Sequence, residues 1–242
     1  MRINKYLASL GVASRRKIDE YIDEKRLKVN NIVAYHGMEV SSNDKILLDG
    51  RIISINKKNK EYYMLNKPLR VISSVSDERG RKTVVDLINT DSRIFPIGRL
   101  DYMTTGLIIL TNDGEIFNKL IHPKKEIFKN YLVSIKGKII LEHIKKIEDG
   151  IIIDGVKTLP AKVEVLKIDN NTKLRISIRE GRNRQIRKML GKFGYQILSL
   201  SRESIGDISI GNLKIGEFRK LNQKEIDYLK SLWYGGWNVF NK

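Results

Sequence analysis

The chain is 242 residues long and carries 46 Lys and Arg against 28 Asp and Glu, a formal net charge of +18, with 41% hydrophobic residues. That composition can build a core, which excludes a basic disordered tail. The surplus positive charge points to a polyanionic partner, nucleic acid or an anionic membrane surface. There is no cysteine, so disulfides and thiolate metal sites are excluded. His36, His122 and His143 match no ligand spacing, so no metal is expected. Met1 to Lys5 lead straight into a charged amphipathic pattern, and no apolar run reaches membrane-spanning length. The expectation is a soluble cytoplasmic protein with no membrane association.

Positive charge is denser at the N-terminus, where the first sixty residues hold 13 Lys/Arg and 7 Asp/Glu. Ile3, Leu7 and Leu10 fall on one helical face, and Gly11 stops that helix. Ser14 is suited to cap a second helix whose buried stripe is Ile18, Tyr21 and Ile22. Its first turn is Arg15-Arg16-Lys17. Three cations there oppose the helix dipole, and two readings stay open: a bound anion, or a solvated basic turn. Short strands follow at Leu27 to Val29, Ile32 to Ala34 and Lys45 to Leu48. Asn56 to Lys60 is polar and basic without periodicity, and the domain boundary is placed there, giving domains 1–58 and 59–242. The helix pair, basic turn and small sheet of Arg2 to Asp49 resemble the S-four-type RNA-binding domain. The resemblance is clearest in Ile3-Asn4-Lys5-Tyr6-Leu7-Ala8 and Gly11-Val12-Ala13-Ser14-Arg15-Arg16, and it implies structured RNA as the ligand.

Beyond the boundary, strands are predicted at Tyr62 to Leu65, Leu107 to Thr111, Tyr131 to Ile135, Lys162 to Leu166, Lys173 to Ile178 and Ile197 to Leu200. Several alternate apolar and polar residues, as antiparallel strands with one solvated face do. Helices are predicted at Thr83 to Ile88, Glu115 to Ile121, Leu141 to Glu148, Arg184 to Phe193 and Gln223 to Trp233. Asn222 and Glu225 form a capping-box-like start for the last. Gly206, Gly211 and Gly216 read as successive tight turns. The class is α+β: a small helix-pair-plus-sheet domain, then a mostly antiparallel mixed sheet with flanking helices. No Walker loop and no G-x-G-x-x-G is present, so no nucleotide cofactor is expected.

The most informative stretch runs from Ile97-Gly98-Arg99-Leu100-Asp101 through Thr105-Gly106-Leu107 to Leu110-Thr111-Asn112-Asp113-Gly114-Glu115. Asp101 lies on a polar loop leading into a buried strand. Spacing alone leaves two readings: a nucleophile or base held by a rigid strand, or a side chain capping a turn, which is the commoner role. Further on, Asn183 can cap a helix with Ile186, Met189, Leu190 and Phe193 inward. Arg184, Arg187 and Lys188 then share the other side, Lys192 lies in the last turn and Gly194 closes the helix.

Gly-Arg-Leu-Asp, two variable residues, Thr, one variable residue, Gly-Leu, then Leu-Thr-Asn-Asp-Gly-Glu resembles the active-site signature of the RsuA/RluB family of bacterial rRNA pseudouridine synthases. Further blocks fall in the family's order: Asn66-Lys67-Pro68, Val71-Ile72-Ser73-Ser74, Lys129-Asn130-Tyr131-Leu132-Val133, and Glu180-Gly181-Arg182-Asn183-Arg184-Gln185-Ile186-Arg187-Lys188-Met189. The resemblance covers essentially the whole chain. It implies that Asp101 is the catalytic nucleophile or base, that Tyr131 packs against the uracil face, and that Arg187 pairs with Asp101. It also implies that a uridine is flipped from its stack and isomerised with no cofactor. Arg99, Arg182, Arg184 and Lys188 are expected to contact RNA, together with Arg15, Arg16 and Lys17. Leu200 is expected under the uracil. The family usually has glycine shortly after Lys-Pro, where this chain has Arg70, which puts the geometry of that loop in question. Ile121-His122-Pro123-Lys124 resembles members acting on large-subunit rRNA.

The expected partner is ribosomal RNA or a pre-ribosomal particle, and the expected state a monomer. Two rivals remain: a non-catalytic rRNA-binding assembly protein of the same fold, and an RNA methyltransferase carrying the same N-terminal domain. Intact Asp101, Tyr131 and Arg187 argue against the first, and the missing glycine-rich cofactor loop against the second.

Overall fold

A computed structural model describes residues 1–53, 59–121 and 127–232. It divides into two compact units: Met1–Glu61 with Thr90–Arg93 and Asn112–Gly114, and the remainder. The boundary expected between residues 58 and 59 falls at the edge of residues 54–58, outside the described residues.

In the first unit, helices α1 (Ile3–Ser9) and α2 (Arg15–Asp23) precede strands β1 (Leu27–Val29), β2 (Ile32–Val33), β3 (Ile46–Leu48) and β4 (Arg51–Ile52), ordered β2-β1-β3-β4. Gly11 follows α1 with φ +81°, a backbone state that favours glycine. The Ser14 hydroxyl accepts from the Lys17 N–H at 3.1 Å, capping α2. Ile3, Leu7, Ile18 and Ile22 are buried against Leu27, Val29 and Ile46. Tyr21 is only partly buried and carries the Arg26 guanidinium 4.5 Å above its ring. Ile32 and Val33 are exposed, unlike Ala34.

The second unit is built on a nine-stranded sheet. Its strands are β5 (Tyr62–Lys67), β6 (Phe95–Ile97), β7 (Thr105–Thr111), β8 (Lys129–Lys136), β11 (Lys162–Ile168), β12 (Asn171–Ile178), β13 (Ile197–Ile205), β14 (Ile208–Ser209) and β15 (Phe218–Lys220). The path is β11-β12-β8-β13-β7-β5-β15, with β6 on β7 and β14 on β13. The β7–β13 pair is parallel and the rest are antiparallel. Strands β9 (Ile152–Ile153) and β10 (Val156–Lys157) form a separate hairpin. Helices α3 (Gly114–Ile121), α4 (Leu141–Glu148), α5 (Gln185–Gly191) and α6 (Gln223–Ser231) flank the sheet. Alternation within β5 and β7 splits their side chains between two cores. Leu65, Ile108 and Leu110 join Val133, Ile176 and Leu190 in one, and Met64, Leu107 and Ile109 join Ile116 and Leu229 in the other.

The helix expected over Thr83 to Ile88 is only one 3₁₀ turn, Val85–Leu87. Thr83 is drawn into a bridge with Ile72, and its N–H and hydroxyl both donate to Asp86 Oδ2, at 2.8 and 3.0 Å. Such local side-chain bonds compete with helix. Strand β13 runs to Ile205, past the predicted end at Leu200, because the polar run Ser201-Arg202-Glu203-Ser204 still pairs with β8. Helix α6 starts at the expected capping box of Asn222 and Glu225. Trp233 and residues 122–126, with the His122-Pro123-Lys124 run, lie outside the described residues. Gly206, Gly211 and Gly216 all have positive φ, as turns require.

Candidate active site

The loop between β6 and β7 carries Asp101, and every backbone carbonyl from Leu100 to Met103 is held. Ser73 Oγ donates to the Leu100 carbonyl at 2.9 Å and accepts from the Leu100 N–H at 3.0 Å. The Asp101 carbonyl accepts from the Thr104 N–H at 3.0 Å, and the Tyr102 carbonyl from the Arg70 N–H at 2.8 Å. The Met103 carbonyl accepts from the Arg187 guanidinium. Leu100 is buried while Arg99, Tyr102 and Met103 face solvent. The loop is thus a rigid mount with Asp101 half-exposed at its centre, the preorganisation a reacting group needs.

The Lys-Pro block completes this mount. Lys67 is fully buried, and its Nζ donates to the carbonyls of Pro68 and Val71, both at 2.8 Å. Burial lowers its pKa to about 8, with the Asp101 charge acting in the opposite direction. Arg70 occupies the turn with φ +59°. The left-handed conformation expected of a glycine is therefore present, adopted by arginine.

Helix α5 faces the loop. Arg187 Nε lies 3.7 Å from Asp101 Oδ2, and its Nη2 also reaches Thr104 Oγ1 at 3.2 Å. At 3.7 Å the contact is an ion pair rather than a hydrogen bond, and Arg187 Nε is buried without a hydrogen-bond partner. Burial lowers the Arg187 pKa, while Asp101 raises it and Arg184 lowers it. Asn183 does not cap this helix. Arg184 takes the cap position with φ +52° and no side-chain cap bond, and the Arg182 N–H is met instead by Gln185 Oε1 at 3.1 Å.

A cavity of about 230 Å³ opens beside Asp101. It brings together seven residues singled out in the sequence: Arg99, Asp101, Tyr131, Arg182, Arg184, Arg187 and Leu200. Register explains the grouping, because Tyr131 pairs with Arg202 and Val133 with Leu200 across β8 and β13. The cavity sits where β7 and β13 meet in parallel, at Thr105–Ser201 and Gly106–Arg202. Gly106 is required there: a Cβ would lie 2.3 Å from the Arg202 carbonyl oxygen, at φ +108°.

Other expected contacts are already engaged. Arg182 donates to Glu180 Oε2 at 3.0 Å and to the carbonyls of Val156 and Lys157 at 2.9 and 2.6 Å. Lys188 is paired with Asp154 in the β9–β10 turn. In the first unit Arg15 and Arg16 are exposed, whereas Lys17 bonds Glu20 at 2.6 Å. Thr104, Lys129 and Arg202 also line the cavity, with no role expected of them from the sequence. Lys129 opens the run Lys129-Asn130-Tyr131-Leu132-Val133, whereas Arg202 stands in a run, Ser201 to Ser204, that reads as polar surface.

A family model described as RNA pseudouridylate synthase matches residues 61–192, and one described as S4 domain matches residues 1–46. The ribosomal large subunit pseudouridine synthase B of Bacillus subtilis (strain 168) is 41% identical over 244 residues, 99% of each chain. The dual-specificity RNA pseudouridine synthase RluF of Escherichia coli (strain K12) is 35% identical, covering 93% of this chain and 77% of its own. A crystal structure of a pseudouridylate synthase shares the fold with a TM-score of 0.69 at 28% identity, over 95% of this chain and 99% of that one.

Proposed function

We propose that this chain, which belongs to the RNA pseudouridylate synthase family, converts a uridine of large-subunit ribosomal RNA to pseudouridine without a cofactor, Asp101 acting on the sugar. The supporting observation is the single cavity in which Asp101, its ion-pair partner Arg187, Tyr131 and Leu200 meet. The large-subunit assignment leans on the relative named ribosomal large subunit pseudouridine synthase B.

The reaction breaks the C1′–N1 bond of a uridine, turns the ring, and joins C1′ to C5. The C5 proton is lost and N1 ends protonated, so atoms balance with no redox partner. A base in folded RNA must first leave its stack. Tyr131 then offers a face worth roughly 1–3 kcal/mol of stacking, with Leu200 beneath the ring. Arg187 supplies the counter-charge to Asp101 in a partly buried site. Arg99, exposed on the same loop, fills the space the base vacates. Arg184 contacts a backbone phosphate. Residues 1–58 form a domain gripping structured RNA, with Arg15 and Arg16 on phosphates, and residues 59–242 form the catalytic domain. The protein acts as a monomer in this reading.

The test is pseudouridine mapping of rRNA from cells with and without the protein, complemented by wild type or by Asp101→Asn. One large-subunit position should lose its pseudouridine, and only wild type should restore it. Restoration by Asp101→Asn would sink the assignment of that residue.

A further inference from the structure

Two cations that line the cavity have no directly paired carboxylate among the described residues. Arg202, on β13, is 4% exposed. Its Nε donates to the Leu107 carbonyl at 2.8 Å, and its Nη2 is buried with no partner. Lys129, on β8, donates to the Ile127 carbonyl at 3.3 Å and to no other group among the described residues. Among the described residues neither forms an ion pair. The carboxylate that acts on Lys129, Glu180, is spent elsewhere: it accepts from Leu159 N at 3.1 Å, Gln185 Nε2 at 2.7 Å and Arg182 Nε at 3.0 Å. Burial and then the neighbouring Arg202 charge hold Lys129 below the usual lysine pKa. A charge withdrawn from water without a partner is unfavourable, which applies to the buried Arg202 and in part to the partly buried Lys129 beside it. An anion arriving in the cavity would offset both.

Their position says which anion. Lys129 and Tyr131 are two apart on β8 and share a face, as do Leu200 and Arg202 on β13. Arg202 is the cross-strand partner of Tyr131. All four line the cavity with Asp101. A ring lying against Tyr131 therefore turns its edge toward both cations.

We propose that Lys129 and Arg202 form an anion subsite that holds the uracil ring while it is detached from the sugar. The inference rests on the function proposed above and adds to it two further groups that touch the reacting ring. When C1′–N1 breaks, the bonding pair stays on the ring, which leaves as an anion with its charge shared among N1, O2 and O4. The sugar is satisfied either by a bond from an Asp101 oxygen to C1′ or by loss of the C2′ proton to Asp101. On rejoining, C5 donates its pair to C1′. The Asp101 oxygen then departs or the C2′ proton returns, and the C5 proton is lost as N1 is protonated. By either route the ring is anionic only between the two bonds. The two cations therefore stabilise the detached ring more than the bound uridine, and act on rate rather than on RNA affinity.

The experiment is single-turnover reaction at saturating enzyme, on RNA carrying either uridine or 5-fluorouridine at the mapped position, followed by nuclease digestion and mass spectrometry. The uridine arm reads pseudouridine formed. The 5-fluorouridine arm reads loss of the N-linked nucleoside, because a C5 that bears fluorine has no proton to lose and its C-linked ring cannot become a pseudouridine. 5-Fluorouracil is the more acidic ring and needs less help to leave as an anion. Lys129→Met should convert uridine RNA about 10- to 100-fold more slowly, with unchanged RNA affinity and a smaller deficit on 5-fluorouridine RNA. Its melting temperature should match or exceed that of wild type, because a partly buried charge without a direct partner has been removed. Arg202→Lys should be partly active and Arg202→Met as slow as Lys129→Met. If Arg202→Met does not fold, Lys129→Met decides alone. Wild-type rates for Lys129→Met, an equal deficit on both RNAs, or a deficit that tracks lost stability would each overturn the subsite. Wild-type protein that forms no pseudouridine would overturn the functional reading and the subsite together.

Discussion

The backbone N–H of Arg70 donates to the carbonyl of Tyr102 at 2.8 Å, so a left-handed turn after the Lys-Pro pair is tied to the loop bearing Asp101. Arginine holds φ +59° at that turn, a conformation costing an L-residue roughly 1–2 kcal/mol that glycine escapes.

Arg70→Gly should therefore stabilise the fold by up to about 1 kcal/mol, the relief being reduced by glycine's greater freedom in the unfolded chain. Arg70→Val should destabilise it by about 1–2 kcal/mol, since a β-branched residue fits this region poorly. Urea denaturation of the two variants checks both signs. Equal stability of the glycine and valine forms would mean that the turn stores no strain.

Lys67 gives a pH dependence of defined sign. Its pKa falls from 10.5 to about 8 on folding because the ammonium is taken out of water. Between those values the unfolded chain binds more protons than the folded one, so this group makes stability rise with pH across that window. Below about 8 the lysine is charged in both states and its burial cost is constant. The stability of wild type relative to Lys67→Met should thus climb between pH 8 and 10.5, by on the order of 1–3 kcal/mol. Chemical denaturation at steps across that range measures it, and a flat difference would refute the assignment.

Much of this was legible in the sequence because it depends on local pattern. The apolar alternation of Tyr131, Val133 and Ile135 marks β8, and Asn222 with Glu225 marks the start of α6. The ordered blocks singled out Asp101, Tyr131 and Arg187, which the cavity brings together. What escaped depends on partners distant in sequence. Arg202 reads as surface between Ser201 and Glu203, yet on β13 it pairs with Tyr131 of β8 and bonds the Leu107 carbonyl. Thr83 to Ile88 has helical spacing but is captured by Asp86 and Ile72. Arg182 and Lys188 look like free phosphate ligands until the β9–β10 hairpin occupies them.

In the first unit the exposed pair Arg15 and Arg16 differs from Lys17, which is engaged with Glu20 and lies 5.4 Å over the Tyr21 ring. Reversing the charge of Arg15 and Arg16 together should weaken RNA binding and make log Kd less steep in log salt by about two counterions' worth. Lys17→Ala should change the slope less. Filter binding at several salt concentrations distinguishes them. An unchanged slope for the double variant would show that this turn is merely solvated.

Arg187 and Arg184 lie on one helical turn but meet different groups, and kinetics should separate them. Arg187 supplies charge to Asp101 at 3.7 Å and also holds the Met103 carbonyl and Thr104 hydroxyl. Arg187→Ala removes both the counter-charge and a fastening of the loop. Breaking such a pair costs roughly 3–5 kcal/mol when fully buried, and less here, where the side chains are 18% and 29% exposed. Single-turnover conversion should fall by more than about tenfold at saturating enzyme, with RNA affinity little changed. Arg187→Lys keeps the charge, but one ammonium cannot span Asp101, Met103 and Thr104 in the guanidinium's fixed geometry, so it should recover only part of the rate. Arg184 is exposed at the helix start with no partner of its own among the described residues. Arg184→Ala should weaken RNA binding in a salt-dependent way and spare chemistry once RNA is saturated. A pure binding defect in Arg187→Ala, or a chemical one in Arg184→Ala, would exchange the two roles.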